Sequence, residues 1–278
     1  MAEFYHRANT KIGQNFLVDH NILEVVLKHA SINSDDTVLE VGAGKGVLTK
    51  GILEHGPKAL YALEIDRSLE PYLQGLSQQY KNLRLFWGDA LKGGFPGSFD
   101  PVPNKMIANI PYHITTPLIW KVLESLAGYG LNYLLLMVQK ESALKICAPA
   151  RCKGRYPLGV TILSMGEARI LRLVPPEAFR PSPSVTSALL EIRITANCDL
   201  PNSSSWRSLL RSGFAQRRKT LANNLTRDFP EMKDNIAPLL DSLGLPPFTR
   251  AEELEIGHWR EVHKFFETLV RRKKADSK

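Results

Sequence analysis

Asn109-Ile110-Pro111-Tyr112 follows directly on the apolar run Lys105-Met106-Ile107-Ala108. A buried-strand pattern ending in these four residues sets several distinct chemical groups at the carboxyl edge of a sheet. The Asn109 side-chain oxygen can accept hydrogen bonds, as can the carbonyls beside the proline. Pro111 fixes its own φ and lacks an N–H, and it restrains Ile110 as well. Tyr112 adds a flat aromatic face with a polar tip. An amine conjugated to a heteroaromatic ring is a poor nucleophile because its lone pair is delocalised. Acceptors that hold its two N–H bonds favour a pyramidal nitrogen, while an aromatic face holds the ring. That set suits alkylation of a nucleobase amine. The plain alternative is a turn after a strand, which Asn-x-Pro also marks.

The upstream segments favour the chemical reading. Thr37-Val38-Leu39-Glu40-Val41 has the pattern of a short buried strand and runs into Gly42-Ala43-Gly44-Lys45-Gly46. A helical pattern follows through Val47, Leu48, Ile52 and Leu53, so the glycines sit in a strand–turn–helix context. They let the backbone approach a ligand closely. The spacing is G-x-G-x-G and not the G-x-G-x-x-G of dinucleotide sites. Glu40, just ahead of the turn, is expected to repel a pyrophosphate and to attract a cation. S-adenosylmethionine carries a sulfonium and an ammonium and no phosphate. A second strand, Ala59-Leu60-Tyr61-Ala62-Leu63, delivers Glu64 to the same edge, where an acidic residue about 20 positions past the glycines grips a ribose diol. Alternation turns Asp66 away. A third strand, Leu83-Arg84-Leu85-Phe86-Trp87, ends in Gly88-Asp89-Ala90, and Asp89 there can accept from an adenine amine. Ligands of open α/β sheets bind beyond the carboxyl ends of the strands, so the four strand ends are expected to share one crevice.

At 278 residues the chain exceeds one typical core and suggests one large domain with a smaller one. No apolar run reaches the ~18 residues of a membrane span, and Met1 to Arg7 lacks the apolar core of a signal peptide. Cys147, Cys152 and Cys198 have no metal-ligand spacing; their odd number fits a reducing compartment, and a cytoplasmic location without membrane attachment is expected. The net charge of +8 points to a polyanionic partner. Arg207, Arg211, Arg217, Arg218 and Lys219 fall together with no acidic residue among them, and the chain closes on Arg271-Arg272-Lys273-Lys274. The 207–219 cluster is expected to contact phosphates, although such a face can also be merely solvated.

The alternation of strand and helix patterns extends to about Ile194. Leu134-Leu135-Leu136-Met137-Val138 is a further buried strand, and Ile170-Leu171-Leu173 and Ala188-Leu189-Leu190-Ile192 suggest an antiparallel edge pair. Between the last two lies a proline-rich loop, residues 175–183, that would hold Phe179 and Arg180 in place. An aromatic on a stiff loop suits a splayed base; the alternative is a loop Phe tucked into the core. Residues 196–204 are polar and mark a boundary. Beyond them Trp206, Leu209, Leu210 and Phe214, then Leu221 and Leu225, then Ile236, Leu239, Leu240 and Leu243 keep helical spacing. Pro246-Pro247 breaks the run before a last helix carrying Trp259, Val262, Phe265, Phe266 and Leu269. The expected domains are therefore 1–195, α/β, and 196–278, helical and RNA-binding.

With these residues assembled, the chain resembles the KsgA-type ribosomal RNA adenine dimethyltransferases over nearly its whole length. The matching segments, in the family's order, begin with Lys11-Ile12-Gly13-Gln14-Asn15-Phe16-Leu17-Val18-Asp19 and Val41-Gly42-Ala43-Gly44. Leu63-Glu64-Ile65-Asp66, Gly88-Asp89-Ala90 and Asn109-Ile110-Pro111-Tyr112 follow. Phe179-Arg180-Pro181-Ser182-Pro183-Ser184-Val185 and Phe214-Ala215-Gln216-Arg217-Arg218-Lys219-Thr220-Leu221 complete them. Any one recurs in other methyltransferases; seven in order are specific. The resemblance implies a Rossmann-like S-adenosylmethionine-dependent methyltransferase sheet with a small C-terminal all-helical domain. It implies dimethylation of N6 on two adjacent adenosines near the 3′ end of small-subunit rRNA, with the small ribosomal subunit as partner and the enzyme a monomer. Carried over by motif, Asn15, Leu17, Gly42, Glu64, Asp89 and Asn109 would line the cofactor site. Asn109, Pro111 and Tyr112 would hold the target amine and base, with Phe179 behind that base and Arg217, Arg218 and Lys219 on the rRNA. His113 departs from the family, where Asn is frequent.

Such a transfer needs neither a metal nor a covalent intermediate, because the sulfonium is already an activated methyl donor and the protein supplies orientation. Three rivals share parts of the pattern. A macrolide-resistance methyltransferase of large-subunit rRNA shares the cofactor motifs, but Thr116-Pro117 and the 214–221 segment favour the small-subunit family. A ribosome-assembly or transcription-associated binding protein could carry the same site in a secondary role. A nicotinamide dehydrogenase is disfavoured by the glycine spacing and Glu40.

Overall fold

The computed structural model describes residues 13–92, 95 and 99–276, the side chains of 270–276 excepted. Lys11 and Ile12 of the first motif, and the side chains of the basic tail, lie outside the described residues.

β1 (Phe16–Leu17) leads into α1 (His20–Ala30). Asp19 caps this helix, its carboxylate accepting from the Asn21 and Ile22 N–H groups. Its apolar stripe, Ile22, Leu23, Val26, Leu27 and Ala30, is buried. Strands and helices then alternate: β2 (Thr37–Val41), α2 (Val47–Glu54), β3 (Ala59–Glu64), α3 (Glu70–Gln79), β4 (Leu83–Trp87), β5 (Lys105–Asn109), α4 (Thr115–Leu126) and β6 (Tyr133–Gln139). Next come α5 (Lys140–Ile146), α6 (Pro157–Met165), β7 (Gly166–Val174), β8 (Phe179–Arg180) and β9 (Ser187–Ile194). Four helices close the chain: α7 (Ser204–Gly213), α8 (Leu221–Asp228), α9 (Ile236–Ser242) and α10 (Ile256–Asp276).

Seven strands form one sheet in the order β4-β3-β2-β5-β6-β9-β7. The five strands from β4 to β6 are parallel to their neighbours, and β9 runs antiparallel to β6. Every residue of β2 and β3 is buried, as expected where helices cover both faces, so these strands show no alternation of apolar and polar residues. Of the two late strands, only β7 takes the edge; β9 sits between it and β6. The chain runs outward from β2 through β3 to β4, then returns to the other side of β2 with β5. That reversal opens a crevice at the carboxyl ends of β2 and β5. The proline-rich loop is not wholly irregular. Its β8 pairs with β1, Phe16 opposite Arg180 and Leu17 opposite Phe179.

The chain divides into two compact units: one up to Ala143 together with Ala168–Thr195, the other Leu144–Glu167 together with Ala196 onward. The helical unit thus takes in a segment well ahead of the polar stretch at 196–204. In α6, Leu158, Gly159, Val160, Thr161, Ile162, Ser164 and Met165 are all buried. A helix apolar nearly all round shows no amphipathic period, which is why its place escaped the pattern. It lies in the middle of the unit. The Trp206 indole N–H donates to Thr161 Oγ1 at 2.9 Å, and Val160 packs in one cluster with Trp206, Leu209, Leu225 and Trp259. Asn197 and Arg260 both donate to the Ser164 carbonyl. Among the described residues no helix is long and apolar enough to cross a membrane.

A β-carbon on Gly159 would stand 2.9 Å from the carbonyl oxygens of Lys145 and Ile146, so α5 and α6 meet backbone to backbone. Gly159→Ala should therefore destabilise the helical unit by about 1–3 kcal/mol, the usual cost of forcing extra volume into a packed site. Denaturant melts of the two proteins measure this; equal midpoints would mean that the contact relaxes freely.

Candidate active site

Four strand ends build one cleft, lined by residues 13–16, 41, 42, 44, 63–65, 88–91 and 109–114. Asn15, Gly42, Glu64, Asp89, Asn109, Pro111 and Tyr112, which come from distant parts of the sequence, all face it. The glycine turn after β2 has φ of +83° at Gly42 and +60° at Gly44, values costly for any residue with a β-carbon. It also lies close to its neighbours. A β-carbon on Gly42 would meet the Asn109 carbonyl oxygen at 3.5 Å, and one on Gly44 would press on the Phe16 ring at 3.1 Å.

Glu64 closes β3 and is buried. One carboxylate oxygen accepts from the Gly44 N–H at 2.8 Å, and the other from the Ile65 and Asp66 N–H groups at 2.9 Å each. These bonds tie the glycine turn to the end of the next strand. Oε2 has a further lone pair for a ligand hydroxyl. Asp89 accepts from the Leu91 N–H at 2.9 Å through Oδ1, while Oδ2 lies 3.7 Å from the Lys92 ammonium.

Asn109 ends β5, and its amide nitrogen donates to the Asn15 backbone carbonyl at 2.8 Å. A carbonyl can only accept, so the nitrogen faces Asn15 and Oδ1 is left for another donor. The Pro111 carbonyl is taken by the Ile114 N–H at 3.1 Å. The Tyr112 hydroxyl lies 2.6 Å from Ser187 Oγ, which is itself fully buried at the start of β9. Burial pushes the Tyr112 hydroxyl above its ordinary value, with the Ser187 bond opposing. The ring is therefore neutral at physiological pH and fixed at its tip. The segment across the cleft is held at several points: Gln14 donates to Asp66 at 2.8 Å, Asn15 accepts from Asn109, and the His113 ring packs against Gly13.

Several expectations need correction. Leu17 is buried in the core and does not line the cleft. Its neighbour Phe16 does, because successive strand residues face opposite ways; alternation separates the two without saying which one faces the cleft. Phe179 is wholly buried in the same core as Leu17 and Val26, so here it offers no face to a base and the tucked-in alternative holds. Glu40 does not border the cleft either. It is 1% exposed and accepts from the Thr49 hydroxyl at 2.7 Å, so it neither repels nor attracts anything in the crevice. Arg217 is partly committed within its own unit, to Glu252 at 3.7 Å and to the Lys153 carbonyl. Arg218 and Lys219 are exposed.

Comparison with known proteins adds an independent line. Residues 5–267 match the family described as ribosomal RNA adenine dimethylase. The chain is 35% identical over 257 residues to ribosomal RNA small subunit methyltransferase A of Clostridium botulinum (strain Loch Maree / Type A3), covering 91% of this chain and 92% of that protein. Its counterpart in Geobacillus thermodenitrificans is 34% identical over 284 residues, covering 98% and 95%. Among solved structures, a dimethyladenosine transferase from Plasmodium falciparum is similar with a TM-score of 0.76 and 25% identity, covering 91% of this chain and 98% of that one. The 23S rRNA methyltransferase ErmE has a TM-score of 0.69 at 22% identity, covering 91% and 100%; at that identity the likeness is one of fold.

Glu40 yields a pH prediction. Burial, with the Glu64 charge nearby, pushes its carboxyl from the ordinary 4.5 up to about 8, against the opposing Thr49 bond. Unfolded, Glu40 ionises near 4.5, so between 4.5 and about 8 unfolding releases a proton. Stability contributed by the neutral carboxyl is thus full below that window and falls as pH rises through it, by up to about 1.4 kcal/mol per pH unit. Glu40→Gln keeps an acceptor for Thr49 and cannot ionise. Urea melts across the window should show a flatter decline for the variant, and parallel profiles would refute the assignment.

Proposed function

We propose that this chain, which belongs to the ribosomal RNA adenine dimethylase family, uses S-adenosylmethionine to make N6,N6-dimethyladenosine at two adjacent adenosines near the 3′ end of small-subunit rRNA. It is an rRNA adenine dimethyltransferase, and its sequence relatives carry the small-subunit name. The observation that carries the reading is Asn109. Its nitrogen is committed to Asn15, so its oxygen is free to accept from the target amine, beside a Tyr112 ring locked by Ser187.

The cleft lining suits the cofactor. Among the described residues its lining includes the carboxylates of Glu64 and Asp89 and no Lys or Arg, a set fitted to a cationic ligand without phosphate. When bound, S-adenosylmethionine supplies an activated methyl group on its sulfonium. Glu64 Oε2 would accept from its ribose hydroxyl, Asp89 Oδ2 would accept from its adenine amine, and the Gly42–Gly44 backbone would border the remainder. On the substrate side, Asn109 Oδ1 and the Ile110 carbonyl hold the two N–H bonds and favour a pyramidal nitrogen. The Tyr112 face supports the base, which has to leave its stack to reach the cleft. The alkylated nitrogen is strongly acidic and sheds its proton to water. Tyr112 Oη, neutral and bonded to Ser187, positions and does not act as base. Pro111 removes one N–H that would compete for these acceptors. Arg217, Arg218 and Lys219 of the helical unit contact rRNA phosphates, and the enzyme works as a monomer in the cytoplasm on the small ribosomal subunit.

Mass spectrometry of rRNA from unmethylated small subunits, incubated with the protein and labelled cofactor, tests the activity. Two methyl groups on each of two neighbouring adenosines are expected; unlabelled small-subunit rRNA, with label appearing on large subunits in a parallel incubation, would overturn the reading. In the same assay Asn109→Ala should slow single-turnover transfer on the order of 100- to 1000-fold, the usual loss for one preorganised partner, with subunit affinity nearly unchanged. A rate within a few-fold of the parent would remove Asn109 from the chemistry. Neutralising Arg218 and Lys219, while leaving the structurally engaged Arg217, should lower the slope of log affinity against log salt by roughly 0.7–0.9 per residue. A slope equal to the parent's would end their role as phosphate contacts.

A further inference from the structure

The helical unit holds an aromatic side chain that neither its core nor the methyl-transfer reaction uses. Phe248 is 71% exposed, more than any other exposed large apolar residue described. Leaving such a ring in water forgoes roughly 2 kcal/mol of burial, so its setting is informative. The loop that carries it is firmly built. Pro246 and Pro247 stiffen the approach, the Thr249 N–H donates to the Pro246 carbonyl at 3.0 Å, and the Thr249 side chain is buried. The Thr249 carbonyl accepts from the Leu221 N–H at 2.7 Å.

That last bond sets the Phe248 loop against the start of α8, directly after Arg217, Arg218 and Lys219. The basic loop is pinned from inside by the buried Asn224, whose amide donates to the Gly213 and Gln216 carbonyls at 2.7 and 3.1 Å. Arg217 ties in a third stretch through the Lys153 carbonyl and Glu252, and the Arg151 N–H donates to the Glu252 carbonyl at 2.7 Å. Three joined stretches therefore carry the exposed cations Arg151, Lys153, Arg218, Lys219 and Arg250. Two of the acids among them are engaged: Glu252 pairs with Arg217, and Glu253 accepts from the Arg250 N–H.

An exposed ring on an anchored loop, with cations on the stretches joined to it, is an arrangement that suits a strand of nucleic acid, with bases stacking on the ring and phosphates meeting the charges. We propose that Phe248 stacks on an unpaired base of the small-subunit rRNA, a base other than the methylated adenosines, while the exposed cations on the adjoining stretches meet the neighbouring phosphates. The inference rests on the small-subunit reading above. A protein partner would seek an apolar surface and not a ring set among cations.

The test uses the full-length protein and unmethylated small ribosomal subunits, with affinity, methylation and melting temperature measured for each variant. Phe248→Ala should weaken subunit binding roughly 5- to 150-fold, the range for losing one base–aromatic stack, with melting unchanged because the ring is exposed. Phe248→Trp should retain or tighten binding. Phe248→Leu, apolar but without a π face, should fall close to the Ala variant. Parent-like affinity of Phe248→Leu would mean an apolar contact with a ribosomal protein and overturn the proposal, as would parent-like affinity of Phe248→Ala. If the parent protein itself neither binds nor methylates small subunits, the functional reading fails with it; if the parent does both and only the Phe248 series is flat, the stacking inference alone falls.

Discussion

At the carboxyl end of β2 the backbone turns with positive φ at Gly42 and Gly44, and the Asn109 carbonyl lies 3.5 Å from where a Gly42 β-carbon would stand. This packing of the turn against the neighbouring strand end brings the glycine turn and the Asn109–Tyr112 segment into one cleft. It exists because the chain reverses its direction of travel across the sheet between β2 and β5. The backbone bonds Gly42 N–H to Leu63 carbonyl and Gly88 N–H to Glu64 carbonyl, both 2.8 Å, carry pairing past the ends of the strands. The Glu64 carboxylate then locks turn and strand end together.

Two carboxylates on the neighbouring strands β2 and β3 have opposite fates. Glu64 accepts three backbone N–H groups and lines the cleft. Glu40, on the neighbouring strand, is turned to α2, where one oxygen meets the Thr49 hydroxyl and the other has no partner among the described residues. A buried carboxyl with a single hydrogen bond resists ionisation, so Glu40 is held towards its neutral form. The neutral group adds little negative field to the site, leaving Glu64 and Asp89 to set its electrostatics.

The helical unit follows a different logic. It takes in α6, a helix drawn from between sheet strands whose Val160 joins the unit's core, and its loops present cations and an aromatic ring. Those loops are fixed by the buried Asn224 side chain and by the backbone N–H and carbonyl of Thr249. Buried groups of this kind are satisfied or costly, so they act as struts for the exposed ones. Recognition by charge and stacking fits a large polyanionic partner, while the chemistry stays with a compact set of groups at the sheet edge.

The elements that touch the chemistry could be read from the chain itself, because their signals are local. A fully apolar run, a glycine turn and an acid at a strand's end record the constraints of a buried parallel sheet, and β2 to β6 lie where those patterns placed them. The order of seven motifs carried the family. What the sequence could not determine was orientation and partnership at a distance. Phe16 and Leu17 differ by one position, and only the pairing of β1 with β8 decides that Phe16 faces the cleft while Leu17 and Phe179 fill the core. Glu40 looked like a ligand group until α2 supplied Thr49. Helix α6, apolar nearly all round, has no period to reveal which unit it joins. Phe248 reads as one more apolar residue until folding leaves it outside. Local pattern reports what a segment can form; which face is covered depends on contacts hundreds of atoms away, and those exist only once the chain has folded.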